Sequence, residues 1–460
     1  MEKFFPTRAK IRANKKMDST AALGIGNKQL PKGCCEMISD KFDLDSEIQV
    51  ETSQQSNVSG FVRPIAGLEG GSPYSFKLEP VGDTWLQMNS MYFYVQCQVT
   101  TSAGAEIADT AKVGLVSAFG MSFFKTLQVN LNDFQINPGT DLDMPYKNYI
   151  ETMLSSDTVT KNTHLSSSIF DLDDMNKLDN MDATDSTNKP FANRAKRITK
   201  SKVFDFCVPV YSDFFRSDNH LAPGNSLFIK ATKNSDDFLL KTTEDSPDYK
   251  IVVKDVRLYY NRIRLDPTLT TSVIKSPERY TCAQTTLKRF VLPSGLSSYN
   301  MEVFNGNLPK SIVVAMVKTT ASDGSMKENP FNIQHFNVNR VTLRVNGQSV
   351  PSDGYNPRFS EDLYAKEYAS LFLNTGMWRG DRASSISYER YKKGSTFFVF
   401  DLSPDLCNNS HFHETRSGVI DLELQWKSEL TNPITLLIYA VQNQTITVEG
   451  NKEPARIDLI

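Results

Sequence analysis

The chain has five histidines, and two of them fall together in "HFHE", His411 to Glu414. On a strand, His411 and His413 would share a face, as a pair of imidazole ligands for zinc or a similar metal must. No cysteine or acidic residue stands at a spacing that completes such a set, so a solvated loop is expected. The acidic run "DLDDMNKLD", Asp171 to Asp179, offers oxygen ligands for Ca²⁺. It lacks the glycine at position six and the glutamate at position twelve of an EF-hand loop, and a solvated loop is again expected. "GLEGG", Gly67 to Gly71, has neither the Lys-Ser/Thr of a phosphate loop nor a dinucleotide fingerprint, and reads as a turn. No G-x-S-x-G elbow accompanies the serines, histidines and aspartates. Whether two carboxylates face each other for glycoside hydrolysis is a three-dimensional question that the sequence leaves open. The expectation is a chain without catalytic residues, metal site or cofactor, and not an enzyme.

One charge cluster remains: Lys3, Arg8, Lys10, Arg12, Lys15 and Lys16, with Glu2 the only acid before Asp18. It could contact nucleic acid, an anionic membrane or an acidic partner surface, or be a solvated tail. Elsewhere charge is balanced, with 51 Lys and Arg against 53 Asp and Glu, which excludes a globally basic nucleic-acid binder. Six cysteines (Cys34, Cys35, Cys97, Cys207, Cys282, Cys407) show no C-x-x-C pair and read as free thiols of a reducing compartment. "IVVAMV" and "LLIYAV" are the longest apolar runs and are too short to span a membrane. The start "MEKFFPTRAKIRANKK" has no apolar core like a signal peptide's, so a soluble, unsecreted chain is expected. Asn57, Asn408 and Asn443 stand in glycosylation contexts that have no meaning without secretion.

The elements that position these residues are strands. From Phe61 onward come short β-rich runs such as "MYFYVQCQV", "KVFDFCVPV" and "YKIVVKDVRLYY", separated by Gly, Pro, Asn, Asp and Ser, and after Pro267 the same texture begins again. "NVNRVTLRVNGQSVP" places Asn346-Gly347 between alternating runs, the signature of a type I′ hairpin. "FKTLQVNLNDFQIN", 214 residues upstream at its turn, places Asn132-Asp133 there. Each hairpin is followed by a Tyr-rich helical stretch ("YKNYIETML", "YAKEYASLF"), a strand with Pro ("FDFCVPV", "FFVFDLSP"), a Gly-led strand ("GNSLFIKA", "GVIDLELQW") and a long closing strand. That recurrence predicts an all-β chain of two tandem eight-stranded jelly-roll sandwiches, a double jelly roll, with short helices in the connecting loops. The boundaries expected are a flexible basic arm over 1–45, a first roll over 46–270 and a second over 271–460. The stretches Ser166 to Arg197 and Pro351 to Phe359 read as polar loops.

"LPSGLSSYNMEVFNGNLPKSIVVAMVKTTASDGSMKENPFNIQHFNVNRVTLRVNGQSVP", with "LYAKEYASLFLNTG" and "FDLSPDL", closely resembles the major capsid protein of Polinton/Maverick-type elements and their adintovirus relatives. "YKNYIETMLSSD", "NRAKRI", "APGNSLFIKATKNSDDFLL" and "RLYYNRIRLDP" in the first half look like the same family. The resemblance implies a hexon-like virion protein that forms homotrimeric, pseudo-hexameric capsomers. It also implies an icosahedral shell completed by a penton-type minor capsid protein, assembled inside the host cell. The arm lies outside the clear resemblance; packaged DNA or an internal membrane are the partners its charge would suit. "ALGIG", Ala22 to Gly26, reads as a linker rather than a protease site. The rival from another class is a two-domain jelly-roll carbohydrate-binding or glycan-active protein, which requires a concave groove lined with aromatic and acidic residues.

Overall fold

Among the described residues, ten strands come from the first half of the chain: β1 (Gln54–Val62), β2 (Tyr74–Leu78), β3 (Thr84–Thr101), β4 (Val113–Leu115), β5 (Phe124–Leu131), β6 (Phe134–Gln135), β7 (Phe204–Pro209), β8 (Leu227–Lys233), β9 (Leu240–Thr242) and β10 (Tyr249–Leu265). The second half supplies β11 (Glu278–Leu292), β12 (Ser298–Asn307), β13 (Ser311–Lys318), β14 (Val338–Val345), β15 (Gln348–Tyr355), β16 (Phe398–Asp401), β17 (Ser417–Trp426), β18 (Ile434–Val448) and β19 (Arg456–Leu459). This computed structural model describes residues 53–68, 71–137, 143–269, 277–380, 383–404, 413–449 and 456–459. Alternation makes the strands: on β3, Met91, Phe93, Val95, Cys97 and Val99 are buried while Tyr92, Tyr94, Gln96 and Gln98 face away.

The first half folds into a sheet of order β1-β10-β3-β7 and a second of order β2-β8-β5-β6. The second half repeats the plan as β11-β18-β13-β16 and β12-β17-β14-β15. With the short β4–β9 ribbon and the added β19 set aside, both halves thread eight strands in one antiparallel order, which is the jelly-roll connection. Ring contacts join the two sheets of each roll. Phe93 of β3 meets Phe76 of β2 at 5.5 Å and Phe124 of β5 at 4.9 Å. Tyr355 of β15 meets Phe400 of β16 at 4.9 Å. Strand pairing never crosses from one roll to the other among the described residues, yet Thr52–Ile460 forms one compact unit.

The two hairpins match in detail. Asn132 and Asp133 have φ of 48° and 67°, and Asn346 and Gly347 have 50° and 82°, the left-handed pair of a type I′ turn. Each turn asparagine is locked onto the start of a distant strand. Asn132 Oδ1 accepts from the Ser226 amide at 2.9 Å, and Asn346 Oδ1 accepts from the Val419 amide at 2.9 Å. Gly418 keeps the second lock open, because a Cβ there would collide with the Asn346 amide. Asp133 pays the left-handed penalty that Gly347 avoids, about 1–2 kcal/mol, partly offset by the about 0.4–1 kcal/mol of extra unfolded-chain entropy that glycine brings. Asp133→Gly is therefore expected to stabilise the chain by about 0.5 kcal/mol, and Gly347→Asp to destabilise it by a similar amount, in urea titrations.

Three expectations need correction. The stretch from Ser166 to Arg197 is not simply a polar loop: it contains helix Lys189–Lys196 and buries Phe170, Leu178, Met181 and Phe191. Pro351 to Tyr355 belong to β15, although their polar composition reads as loop, because the strand's outer face is solvated. The closing strand β10 runs on to Leu265 because β1 pairs along it. The expected helices lie at Met144–Ser155 and Ala365–Asn374, the second followed by Gly376 at φ 73°. The junctions expected at 45 and 270 lie outside the described residues.

Candidate functional site

Lys3, Arg8, Lys10, Arg12, Lys15 and Lys16 lie outside the described residues, as do "ALGIG" and His411. His413 is half-buried, and no group of three His, Cys, Asp or Glu that could hold a metal occurs among the described residues. Gly67 and Gly71 each close a turn, donating their amides to Pro64 and Leu68. Cys97 and Cys282 are buried free thiols and Cys207 is half-buried and free; burial pushes Cys282 up to about 11, so it stays protonated. The acidic run departs from the solvated loop expected. Asp173 is buried and ion-paired to buried Arg194, because the insert packs against the second roll.

The structure assembles instead a charge cluster where the rolls meet, with Lys147 and Glu151 buried at its centre and Arg216 half-exposed at its edge. Lys147 and Glu151 lie one turn apart on the buried helix Met144–Ser155, 2.7 Å from each other. The Lys147 ammonium is also 3.0 Å from Asp213, and Arg216 pairs with the second oxygen of Glu151. All four belong to the first roll, and the second roll completes their hydrogen bonding. Tyr439 of β18 donates its hydroxyl to Glu151 at 2.9 Å, and the Thr285 amide of β11 donates to Asp213 at 2.8 Å. Burial alone would raise the Asp213 carboxyl; Lys147 and Arg216, with that amide, hold it below its ordinary value. At the start of the helix, Asp143 pairs with Arg289 of β11 at 2.8 Å.

An aromatic seat lies beside the cluster. Phe331, from the connection between β13 and β14, stacks on Tyr149 at 4.3 Å and meets Tyr146 and Phe238 edge-on at 5.9 Å each. Phe331→Ala is expected to cost about 3–5 kcal/mol in urea unfolding, the usual loss for a fully buried ring. Lys241 of β9 reaches the same connection, donating to the Ser325 carbonyl at 2.7 Å. Burial pushes Lys241 down from 10.5 to about 7. Lys161, donating to Ser385, is likewise pushed down to about 7 by burial and then by Arg390. For these two lysines the unfolded chain holds protons between about pH 7 and 10.5 that the folded chain does not, so stability rises with pH from about 7 until the buried thiols of Cys97 and Cys282, pushed up from 9.0, begin to act the other way at about pH 8.5. Lys241→Met is expected to reduce that rise by about half, read from urea midpoints at several pH values.

The outer face of the first-roll sheet carries a second feature. Phe61, Tyr259 and Tyr92 stand in register across β1, β10 and β3. Tyr259 stacks on Tyr92 at 5.0 Å and meets Phe61 at 5.5 Å, with the Arg257 guanidinium 5.2 Å from the Phe61 ring. Phe61 is 47% exposed and Tyr92 37%. On the second roll, Leu363, Leu373, Trp378 and Tyr388, all in the connection from β15 to β16, are exposed. Alternation pointed to the strand faces, but no sequence signal marked these rings as uncovered.

Comparison with known proteins bears on the architecture. No family model matches the chain. A Caenorhabditis elegans protein of uncharacterised function is 22% identical over 400 residues, covering 83% of this chain and 92% of that one. Among solved structures, a chain of the Sputnik virophage aligns with a TM-score of 0.62 at 12% identity, covering 95% of each chain. The mavirus major capsid protein aligns at 0.53 with 12% identity, over 92% of this chain and 93% of that one. The Faustovirus major capsid protein aligns at 0.53 with 10% identity, over 87% and 92%. At these coverages the alignments extend over both rolls, and the chain has the double jelly-roll fold of these viral capsid proteins.

Proposed function

We propose that this chain is a structural major capsid protein of an icosahedral double-stranded DNA virus or virus-like transposon. The Polinton/Maverick and adintovirus resemblance belongs to this reading, and so does the absence of enzymatic activity. The observation that carries it is the repetition of one eight-strand order in two rolls, held by a common buried junction. Three such chains present six similar rolls, so one closed threefold contact fills a site of pseudo-sixfold symmetry. A ring of this kind needs two different complementary patches on each chain. The Phe61/Tyr92/Tyr259 face of the first roll and the Leu363, Trp378 and Tyr388 side chains of the second are the two we assign to neighbouring copies. A penton-type minor protein would close the shell, and the basic residues from Lys3 to Lys16 would meet packaged DNA or an internal membrane. The roll boundary we propose lies near residue 270.

Light-scattering mass with negative-stain microscopy tests this reading. Particles of about 155 kDa, three times 51.8 kDa, with a hexagonal outline are expected; a homogeneous monomer at high concentration in every ionic condition would overturn it. Tyr92→Glu is expected to shift the trimer towards monomer by at least about tenfold in dissociation constant, since a charge desolvated at an aromatic contact costs more than about 1.4 kcal/mol. The thermal midpoint of the monomer should fall only slightly, because Tyr92 points away from the core and gives up within its own chain only the stacking on Tyr259, about 0.5–1.5 kcal/mol.

A further inference from the structure

A cavity of about 650 Å³ opens where the first-roll insert meets the second roll. Its walls come from residues 175–180 of the insert, 332–337 between β13 and β14, 392–394 before β16, and 428–432 between β17 and β18. In the antiparallel strand order of the second roll, its three wall segments all leave at the same end. The cavity is therefore a product of clustered connections, the usual place for recognition, and its size suits a small organic ligand.

The lining's chemistry narrows the class of that ligand. The lysines at the cavity are matched within the chain: Lys177 lies 3.0 Å from Asp185, Lys393 lies 2.7 Å from Glu389, and Lys392 pairs with Asp362. Asp179 accepts from Asn332 at 2.7 Å. Five uncharged polar side chains are left over. Gln334, Asn337, Ser428, Thr431 and Asn432 line the cavity and make no side-chain hydrogen bond to another described residue. Each can donate and accept at once, the pairing that adjacent sugar hydroxyls require. His335 brings a ring stacked on Phe359 at 4.1 Å, and burial, then Lys392, pushes it down to about 4, so it is neutral at neutral pH. Phe336 and Leu178 add apolar surface for the C–H face of a sugar. A phosphate or sulfate would want unpaired Lys or Arg; the cavity offers none, and the exposed Glu429 carboxylate stands at its rim.

We propose that this cavity binds a short neutral saccharide through the carboxamides of Gln334, Asn337 and Asn432 and the Thr431 hydroxyl. The site needs a single chain and does not rest on the capsid reading.

The experiment uses the full chain on an array of neutral, sialylated and sulfated glycans, with saturation-transfer NMR against lactose, cellobiose and N-acetyllactosamine. Binding to neutral glycans is expected, weakened at least tenfold in Gln334→Ala/Asn432→Ala at an unchanged thermal midpoint. Signals from sialylated or sulfated glycans alone, equal binding by the double variant, or no saccharide signal at millimolar concentration would each overturn the proposal. Light-scattering mass on the same samples reports trimer or monomer separately, so failure of this site and failure of the capsid reading are told apart.

Discussion

Glu151→Leu is expected to lower the unfolding free energy by about 3–5 kcal/mol, the cost of removing one partner from a buried ion pair. Two buried groups depend on this carboxylate, the Lys147 ammonium at 2.7 Å and the Tyr439 hydroxyl at 2.9 Å, and the half-exposed Arg216 guanidinium pairs with its second oxygen. Lys147 has no exposed surface, so water cannot replace what it loses. Asp213 remains at 3.0 Å, but it also serves the Thr285 amide. Because Tyr439 and Thr285 belong to the second roll, the damage should extend beyond the first. Urea unfolding of the parent is expected to be one transition by fluorescence and circular dichroism, and that of Glu151→Leu to separate into two. Glu151→Leu/Lys147→Met should recover part of the loss, since it removes the stranded charge along with its partner. A loss under about 1 kcal/mol would mean that the junction admits water and that the cluster behaves as a surface pair.

What could be read beforehand was whatever local pattern dictates. The duplicated hairpins were legible because Asn346-Gly347 and Asn132-Asp133 need positive φ at both residues, and few side chains accept that. The order of helix and strands after each hairpin followed from periodicity. The junction was not legible. Lys147 and Glu151 stand at the i,i+4 spacing of an ordinary surface pair, and nothing local distinguishes a buried pair from a solvated one. Their partner Tyr439 is 288 residues from Glu151. The acidic insert misled for the same reason: Asp173 reads as solvated until Arg194 folds back onto it. The cavity is built from four segments, none of which carries a motif, so its free carboxamides could be recognised only once brought together.

Arg194→Leu is expected to release that insert from the second roll at a cost of about 3–5 kcal/mol, because Asp173 would be left buried without its counter-charge. Arg194 is 2% exposed, and each of its three guanidinium nitrogens donates a hydrogen bond. Its Nε donates to the Leu115 carbonyl and one Nη to the Asp171 carbonyl, each at 2.8 Å, while the other pairs with Asp173. Asp173 in turn accepts from Asn329 Nδ2 of the second roll at 3.0 Å, and the same amide donates to the Leu178 carbonyl at 3.0 Å. One arginine thus fixes a chain of contacts from β4 through the insert to the second roll. Leu178 is seated against Gly394, where a Cβ would collide with it. With Arg194 replaced, local opening of residues 171–188 should precede global unfolding, seen as faster amide exchange there while β3 and β18 stay protected. Since 175–180 form one wall of the cavity, saccharide binding should weaken in step with that opening, although Arg194 lies outside the cavity lining. Uniformly faster exchange across both rolls would instead place Arg194 in the global core and detach the insert's order from the site.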